Sequence, residues 1–375
     1  MKLVSIEPTP SPNTMKLTVD ETLPQGMQRE YTPEKAESAP PLIKRLLAID
    51  GVRSVFHTAD FLAVERKSNA DWQRILAKAQ EAFGETELTS GVSDALTPQE
   101  GWGEAKVYIQ FFRNIPMQVK VTAGTEQIRT ALPERFGKAA VTAGSASPNL
   151  IMERQWVEQG IRYGELREIG EEVAQEVDAA YDDERLQQLV EQAIRQGTGE
   201  PLPAPVPEAP PALEMLEHPD WRKRYAALEK LNPTAEDLPF LVKALHDPKP
   251  SIRRLATVYL GMVGGEDVLP YLFEALKDDS VAVRRTAGDT LSDLGDPRAI
   301  GPMAEALQDP NKLVRWRAAR FLYEVGDETA LEALRQAQDD PEFEVRLQIK
   351  MALERIERGE AASGTVWQQM TRRSE

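Results

Sequence analysis

The strongest constraint on the fold is a repeat of 31 residues in the C-terminal part of the chain. An arginine recurs at this spacing, at Arg253, Arg284, Arg315 and Arg346. An aspartate recurs at the same spacing, at Asp247, Asp278, Asp309 and Asp340. Repeats of this length fold as small helical units that bury their apolar faces only by stacking on their neighbours. We therefore predict an elongated all-α solenoid, an architecture typical of proteins that bind other macromolecules.

Each repeat is predicted to contain two helices. Asp-Pro at Asp247 and at Asp309 suggests a capping aspartate followed by a proline in the first helical turn. A glycine is expected to end the first helix in a left-handed conformation at Gly264, Gly295 and Gly326. An upstream copy surrounds Arg224, and a partial copy begins at Asp340. The pattern resembles short HEAT-like repeats, and we assign residues 212–358 to them.

The regular arginines have two interpretations. We call Arg224, Arg253, Arg284, Arg315 and Arg346 the arginine ladder. It could form a recognition stripe for carboxylates or phosphates. Every repeat of a stacked array has to pack on its neighbours in the same way, so we favour a structural role in which each arginine pairs with an aspartate at a repeat boundary or caps neighbouring carbonyl groups.

Residues outside the regular ladder are the better candidates for contact with a partner. On the solenoid these are the partly repeated arginines Arg254, Arg285, Arg317 and Arg320, and the aromatic residues that break the period, Tyr259, Tyr271, Trp316 and Tyr323. In the N-terminal part, Pro10 and Pro12 lie in a proline-punctuated loop that could recognise a partner. The alternative for this loop is a rigid connection between two strands, which we favour.

Composition removes several classes of function. The chain of 375 residues has no cysteine and three histidines, so disulfides and thiolate metal ligands are excluded and we predict no metal site and no cofactor. A net charge of −16 argues against nucleic acid and anionic membranes as partners. The chain has no long apolar run and none of the common catalytic motifs. We therefore expect a cytoplasmic protein that is not an enzyme.

The first unit, residues 1–87, is predicted to be a compact α+β domain. Short strands are expected at Lys2–Ile6, Thr14–Val19, Val52–His57 and Phe61–Arg66, with helices at Pro41–Ile49 and Ala70–Ala82. The segments EPTPSPNTMKL and PLIKRLLAIDGVRSVFHTADFLAVERKSNADW resemble the N-terminal domain of Nfu (NifU-like) iron–sulfur scaffolds. The resemblance implies a fold and a shared partner surface. Scaffolds of that family bind iron through a separate Cys-x-x-Cys domain, which this chain lacks.

The middle unit, residues 102–197, is expected to be a small α+β domain with a long helical C-terminal part. A hairpin is predicted around Asn114–Pro116, followed by a short helix at Thr125–Leu132 and a strand or loop at Arg135–Thr142. The segment Pro148–Gln196 is predicted to be helical. A proline-rich linker, 198–211, precedes the repeats, and a polar tail, 359–375, follows them.

The order of the three units resembles the bacterial conserved virulence factor C family over essentially the whole chain. We therefore predict α+β N-terminal and middle domains followed by an all-α HEAT-like solenoid. The leading functional hypothesis is a non-enzymatic adaptor that binds protein partners through the solenoid and the Nfu-like domain, with a regulatory or virulence-related role implied by the resemblance. One alternative is an accessory factor that docks on iron–sulfur proteins without ligating the cluster, iron binding by the Nfu-like domain being left open. A third is a HEAT-like lyase-type enzyme. Oligomeric state is left open.

Overall fold

A five-stranded antiparallel sheet with two helices forms the N-terminal domain in the computed structural model. The model describes residues 1–9, 13–24, 27–33, 36, 39–67, 70–84, 104–123, 126–198 and 213–359. The strands lie in the order β1-β2-β5-β4-β3. Their bounds are β1 Leu3–Pro8, β2 Thr14–Val19, β3 Gln28–Tyr31, β4 Val52–Thr58 and β5 Phe61–Arg66. The helices are α1 Pro41–Leu47 and α2 Trp72–Phe83.

Alternation of apolar residues explains this sheet. In β2, Met15, Leu17 and Val19 are buried and the residues between them are half-buried, as expected for a strand with one face on a core. Trp72 of α2 is fully buried in the same core. Strand β3 was missed because a four-residue polar edge strand has no alternating pattern.

The middle domain is a second antiparallel sheet, with strand order β8-β7-β6-β9. Its strands are β6 Glu104–Phe112, β7 Ile115–Ala123, β8 Glu126–Ala131 and β9 Arg154–Tyr163. Its helices are α3 Glu134–Gly144, α4 Leu166–Ala180 and α5 Asp183–Thr198, which pack on one face of the sheet. The predicted hairpin is present, and its turn residues Arg113 and Asn114 both have positive φ, as a two-residue hairpin turn requires.

Three predictions for the middle domain were wrong. Thr125–Leu132 is not a helix: strand β8 pairs with β7, and its single long apolar residue, Ile128, could not distinguish the two periods. Arg135–Thr142 belongs to helix α3, whose buried Phe136 and alanines are spaced for a helix, although the basic residues between them obscured this. The segment Pro148–Gln196 includes strand β9, an edge strand whose exposed residues give little alternation.

Nine helices follow, arranged as a solenoid within residues 213–359. The first helices of the repeats are α6 Trp221–Glu229, α8 Pro250–Val263, α10 Val281–Leu294, α12 Lys312–Val325 and α14 Phe343–Glu357. They pack side by side in this order. The second helices are α7 Leu238–Leu245, α9 Leu269–Ala275, α11 Ile300–Glu305 and α13 Leu331–Gln336. The predicted fold class is confirmed.

The ends of the first helices correct two details. Helix α8 begins at Pro250 after Lys249, so Asp247 precedes the cap, and its carboxylate accepts the backbone N–H of Lys249 at 2.8 Å. Asp309 likewise precedes the capping residue Asn311. Gly295 is left-handed as predicted, whereas Gly326 has φ −58°. A Cβ at Gly326 would lie 2.4 Å from the carbonyl oxygen of Leu322, so close approach explains this glycine.

The predicted linker beyond Thr198, the tail beyond Gly359, and the loop prolines Pro10 and Pro12 lie outside the described residues. In the part of the chain that is described, no helix combines the length and apolar character needed to cross a membrane.

Candidate functional site: the charged face of the solenoid

The arginine ladder connects successive repeats by two-pronged ion pairs. Arg253 donates from Nε and Nη2 to the carboxylate of Asp278 at 2.7 and 2.8 Å. Its Nη1 donates to the carbonyl oxygen of Asp247 at 2.8 Å. The same arrangement joins the pairs Arg224–Asp247, Arg284–Asp309 and Arg315–Asp340. Arg346, in the last repeat, donates to the backbone carbonyl of Pro341 at 2.8 Å. The guanidinium groups of the ladder are therefore occupied by ion pairs and hydrogen bonds within the solenoid.

A second set of arginines lies on the first helices of the repeats and faces the middle domain. We call Arg254, Arg285 and Arg317 the second row. Arg254 Nη2 lies 3.2 Å from Glu176 of α4. Glu176 also accepts from Arg162 of β9 at 2.7 Å and is buried. Burial alone would raise the pKa of Glu176, but Arg254 and Arg162 outweigh it and hold that pKa below its ordinary value.

Arg285 contacts the middle domain through a ring. Its guanidinium lies 3.7 Å from the ring centroid of Tyr163, the last residue of β9. Its Nε donates to Asp289 at 3.2 Å, and Nη1 and Nη2 have no hydrogen-bond acceptor among the described residues. Arg317 Nε lies 2.6 Å from the same Asp289 carboxylate. Arg254 and Arg285 are therefore covered by the chain's own middle domain, whereas Arg317 pairs with a carboxylate of the solenoid.

Arg320 and the aromatic candidates are placed differently. Arg320 forms a buried pair with Glu324 at 2.7 Å. Burial raises the pKa of Glu324 above its ordinary value, and the charge of Arg320 offsets only part of this. Trp316 is 1% exposed and part of the solenoid core, so its prediction as a partner contact was wrong. Tyr271 and Tyr323 are half-buried against the same core.

The N-terminal domain packs against the opposite end of the solenoid. Arg66 of β5 and Glu344 of α14 form an ion pair at 2.8 Å, with each side chain 2% exposed. Arg66 also donates to the carbonyl oxygen of Ala70 at 2.8 Å. Phe343 and Leu347 of α14 pack against the core of the N-terminal domain. The last repeat therefore holds this domain through both a buried charge pair and apolar contact.

The middle domain packs against the first repeats. Helix α4 lies against α6, and Ala179 and Ala180 are part of the solenoid core. Arg185 of α5 pairs with Glu229 of α6 at 2.7 Å. The solenoid thus carries one α+β domain near each end.

A cluster that sequence reasoning missed lies on the sheet of the middle domain. The Lys120 ammonium is 4.5 Å from the ring centroid of Tyr108 and 4.4 Å from that of Trp156. All three side chains are half-buried, and Arg129 is 5.8 Å from the Trp156 ring. The residues come from four different strands, so no local pattern of basic and aromatic residues announces them. Only strand pairing brings them together.

Across residues 1–84, 104–198 and 213–359, apart from the short gaps within the first two ranges, no group of three or more histidine, aspartate or glutamate side chains is arranged to hold a metal ion.

Comparison with known proteins agrees with this architecture. The family model "Scaffold protein Nfu/NifU N terminal" matches residues 4–90, the model "Virulence factor" matches 110–190, and the HEAT-repeat model matches 209–288 and 270–354. Protein SAV1430 from Staphylococcus aureus, a solved crystal structure, is 37% identical over 22% of this chain and 99% of its own, with a TM-score of 0.21.

Two relatives match over essentially their whole length. Protein YpgR of Bacillus subtilis (strain 168) is 60% identical, covering 99% of this chain and 98% of its own. Conserved virulence factor C of Staphylococcus saprophyticus is 41% identical, covering 100% of both chains. Full-length identity at this level means that the chain belongs to the conserved virulence factor C family.

Proposed function

We propose that this protein is a non-enzymatic cytoplasmic adaptor whose solenoid holds two α+β domains in fixed positions and offers them to protein partners. The observation that carries the proposal is that each domain is attached to the solenoid through an ion pair whose carboxylate is buried. These are Arg66–Glu344 at one end and Arg254–Glu176 at the other. HEAT repeats generally serve protein–protein interaction, and their presence in the family supports the same function.

Fixed spacing explains what such an arrangement achieves. Two binding surfaces on one rigid chain turn the second contact into an intramolecular event, which raises its effective concentration. A flexible connection would lose part of this gain through the entropy of ordering. The buried pair Arg66–Glu344 links residues far apart in sequence, so it restricts the N-terminal domain directly.

In this proposal, the arginines of the second row make contacts within the protein and do not bind the partner. Arg254, Arg285 and Arg317 lie against the middle domain or its neighbouring carboxylates, so a partner would have to displace that domain to reach them. Tyr271 and Tyr323 remain our proposals for partner contact on the solenoid itself. The partner surface of the N-terminal domain is the one shared with Nfu-type proteins.

The test uses full-length protein as bait in affinity capture from the native cytoplasm. Glu344→Ala should release the N-terminal domain, and Glu357→Ala is the matched control because Glu357 forms an exposed pair on the same helix. Each captured protein is purified, and its binding is measured by calorimetry. We expect saturable binding to wild type and to the control, weakened about tenfold or more in Glu344→Ala. Absence of any saturable complex with wild type contradicts the adaptor.

A second candidate function is an accessory role in iron–sulfur cluster biogenesis, favoured by the match of residues 4–90 to the Nfu/NifU N-terminal model. Without cysteine, the chain would dock on cluster-carrying proteins without ligating the cluster by thiolates. The test incubates purified protein anaerobically with iron and sulfide and records its visible spectrum. A stoichiometric bound cluster would show that the protein ligates iron itself; selective capture of cluster proteins would support docking.

A further inference from the structure

A groove lies at the end of the middle-domain sheet, beside helix α3. It has a volume of about 770 Å³. Its walls include the apolar side chains of Met117, Leu132, Pro133 and Val141, together with the cations Lys138 and Arg154. The volume falls within the about 300–1,000 Å³ typical of ligand sites. An apolar lining with a few charged groups is the usual composition of such a site.

The most exposed large apolar side chains of the described residues lie at or beside this groove. Val141, which lines it, is 73% exposed. Ile151 and Met152, just before the lining residue Arg154, are 71% and 78% exposed. Soluble proteins seldom leave several large apolar side chains exposed together unless they meet a partner. Val141 is mostly exposed although it lines the groove, and Ile151 and Met152 precede the lining residue Arg154 by three and two positions, so a small ligand inside the groove would leave these side chains uncovered.

The positive charge of Arg154 is not neutralised by its neighbours. Its buried Nε has no hydrogen-bond acceptor within the part of the chain that is described. The adjacent carboxylate of Glu153 is taken by Arg113 at 2.7 Å and by Ser147 at 2.5 Å. Lys138 has one exposed partner, Glu134, at 3.0 Å. The groove therefore presents an unmatched cation on a protein whose net charge is −16.

The groove continues onto the sheet face that carries the Lys120 cluster. Gln110, which lines the groove, pairs across the strands with Trp156. In the neighbouring row, Tyr108 pairs with Lys120, and Lys120 pairs with Arg129. Paired residues share one face of a sheet. Lys120 and Arg129 thus extend positive charge from the apolar groove along the adjoining face, and Glu158, which pairs with Tyr108, lies at the β9 edge of the same row.

We propose that this groove and the adjoining sheet face bind a segment of a partner protein that carries apolar side chains next to carboxylates. The apolar side chains bury Val141 and Met152, and the carboxylates meet Arg154 and Lys120. The inference rests on the proposed adaptor function and assigns it a surface on the middle domain. Single-stranded nucleic acid fits less well, because the exposed side chains are aliphatic or thioether and the Lys120 ammonium lies against both aromatic rings.

The experiment selects ligands without assuming their sequence. A phage-displayed library of random twelve-residue peptides is panned on full-length protein and counter-selected on Val141→Glu. We expect the recovered peptides to be enriched in Asp and Glu beside Leu, Ile, Phe or Met. Enrichment in basic or purely polar peptides, or recovery of none above background, overturns the proposal.

Affinities of the recovered peptides then test the individual residues. Fluorescence anisotropy should show binding weakened at least about tenfold by Val141→Glu and by Met152→Glu, and less strongly by Arg154→Ala. Met262→Glu is the matched control, since Met262 is 63% exposed on the solenoid. Two independent glutamate variants, each checked for unchanged thermal unfolding, protect the test against a folding defect. Equal weakening by Met262→Glu contradicts a groove-specific site.

Two further measurements exclude other occupants. A labelled ten-nucleotide single-stranded RNA should bind more weakly than the selected peptides, and tighter binding that depends on Trp156 overturns the proposal in favour of nucleic acid. Sedimentation velocity should show no wild-type dimer that is lost in Val141→Glu. If such a dimer is found, the groove binds a second copy of this chain. If captured partners bind Val141→Glu as well as wild type, the adaptor stands and the groove assignment falls.

Discussion

Two rows of arginine run along the same solenoid and differ in what they contact. The arginine ladder repeats its geometry, because each of its first four members is bound to an aspartate of the next repeat. The second row has no such repeated geometry: Arg254 meets Glu176, Arg285 meets a tyrosine ring as well as Asp289, and Arg317 meets Asp289. The regular row links repeat to repeat. The irregular row lies at the boundary with the rest of the chain.

The difference teaches which residues of a repeat protein carry specific information. A contact that recurs in every repeat serves the stacking of the repeats, because stacking is common to all of them. A position whose residue changes from repeat to repeat reflects which part of the protein packs against that particular repeat. The last repeat extends the rule, because Glu344 and Leu347 of α14 meet the N-terminal domain. Thus one solenoid face holds both domains with different side chains.

The largest effect is expected where a domain boundary depends on one buried pair. Glu344→Ala leaves the Arg66 guanidinium buried without its carboxylate, and breaking such a pair costs about 3–5 kcal/mol. Native-state hydrogen exchange should show faster exchange in α2 and α14. Glu357→Ala, in an exposed pair on α14, should leave both helices close to wild type. Unchanged protection in α2 after Glu344→Ala contradicts the role of this pair in docking.

A smaller loss is expected inside the ladder. Arg284→Ala removes one member of a ladder pair, and Asp309 keeps one backbone N–H donor from Asn311. We expect about 1–3 kcal/mol lower stability, seen as faster exchange in α10 and α12. Arg335→Ala, from an exposed pair, is the control. If hydrogen exchange in α10 and α12 stays as slow as in wild type after Arg284→Ala, and a captured partner no longer binds, the ladder is a recognition stripe instead.

Much of the fold was predictable because its signals are periodic. The 31-residue spacing determined the solenoid, and alternation determined β2 and β5. What failed were elements whose identity depends on a distant neighbour. Strand β8 exists because β7 pairs with it, and β3 because β4 does. Trp316 broke the period, yet it is buried because a large aromatic side chain fills the core.

The candidate site was harder to predict for the same reason. The sequence identified Arg254 and Arg285 as candidates for contact with a partner, but the residues that they meet, Glu176 and Tyr163, lie far away in the chain. The Lys120 cluster joins residues from separate strands. No spacing within a single segment encodes such contacts, so they appear only after folding.

Two buried glutamates, Glu176 and Glu324, should affect the pH dependence of stability in opposite directions. The pKa of Glu176 is lowered, so its ionised form stabilises the fold above the unfolded pKa, near 4.5, and that contribution is lost as pH falls through the folded pKa. The pKa of Glu324 is raised, so its ionised form opposes folding, and protonation on acidification relieves the cost. Glu176→Gln should lower stability near neutral pH and flatten the acid loss.

Glu324→Gln should have a smaller effect near neutral pH and should remove a stabilising trend on acidification. Denaturant unfolding midpoints measured between about pH 3 and pH 8 distinguish the two variants. The difference reflects the hydrogen bonds and charges around each carboxylate, since both Arg162 and Arg254 hydrogen-bond Glu176, whereas Glu324 is hydrogen-bonded by Arg320 and is opposed by the charge of Asp293. The same pH slope in both variants contradicts this account of the boundary.

The smallest predicted effect distinguishes the ladder from the second row at the adjacent positions Arg284 and Arg285. A double-mutant cycle of Arg285→Ala with Tyr163→Leu should give a coupling energy of about 1 kcal/mol, because the guanidinium lies over the ring. The matched cycle pairs Arg284→Ala with Tyr163→Leu. Arg284 is bound to Asp309, so its coupling to Tyr163 should be within about 0.5 kcal/mol of zero. Exchange protection of β9 and α10 supplies both free energies. Equal coupling in the two cycles would mean that neighbouring arginines share one interface, and the division between ladder and second row would then be wrong.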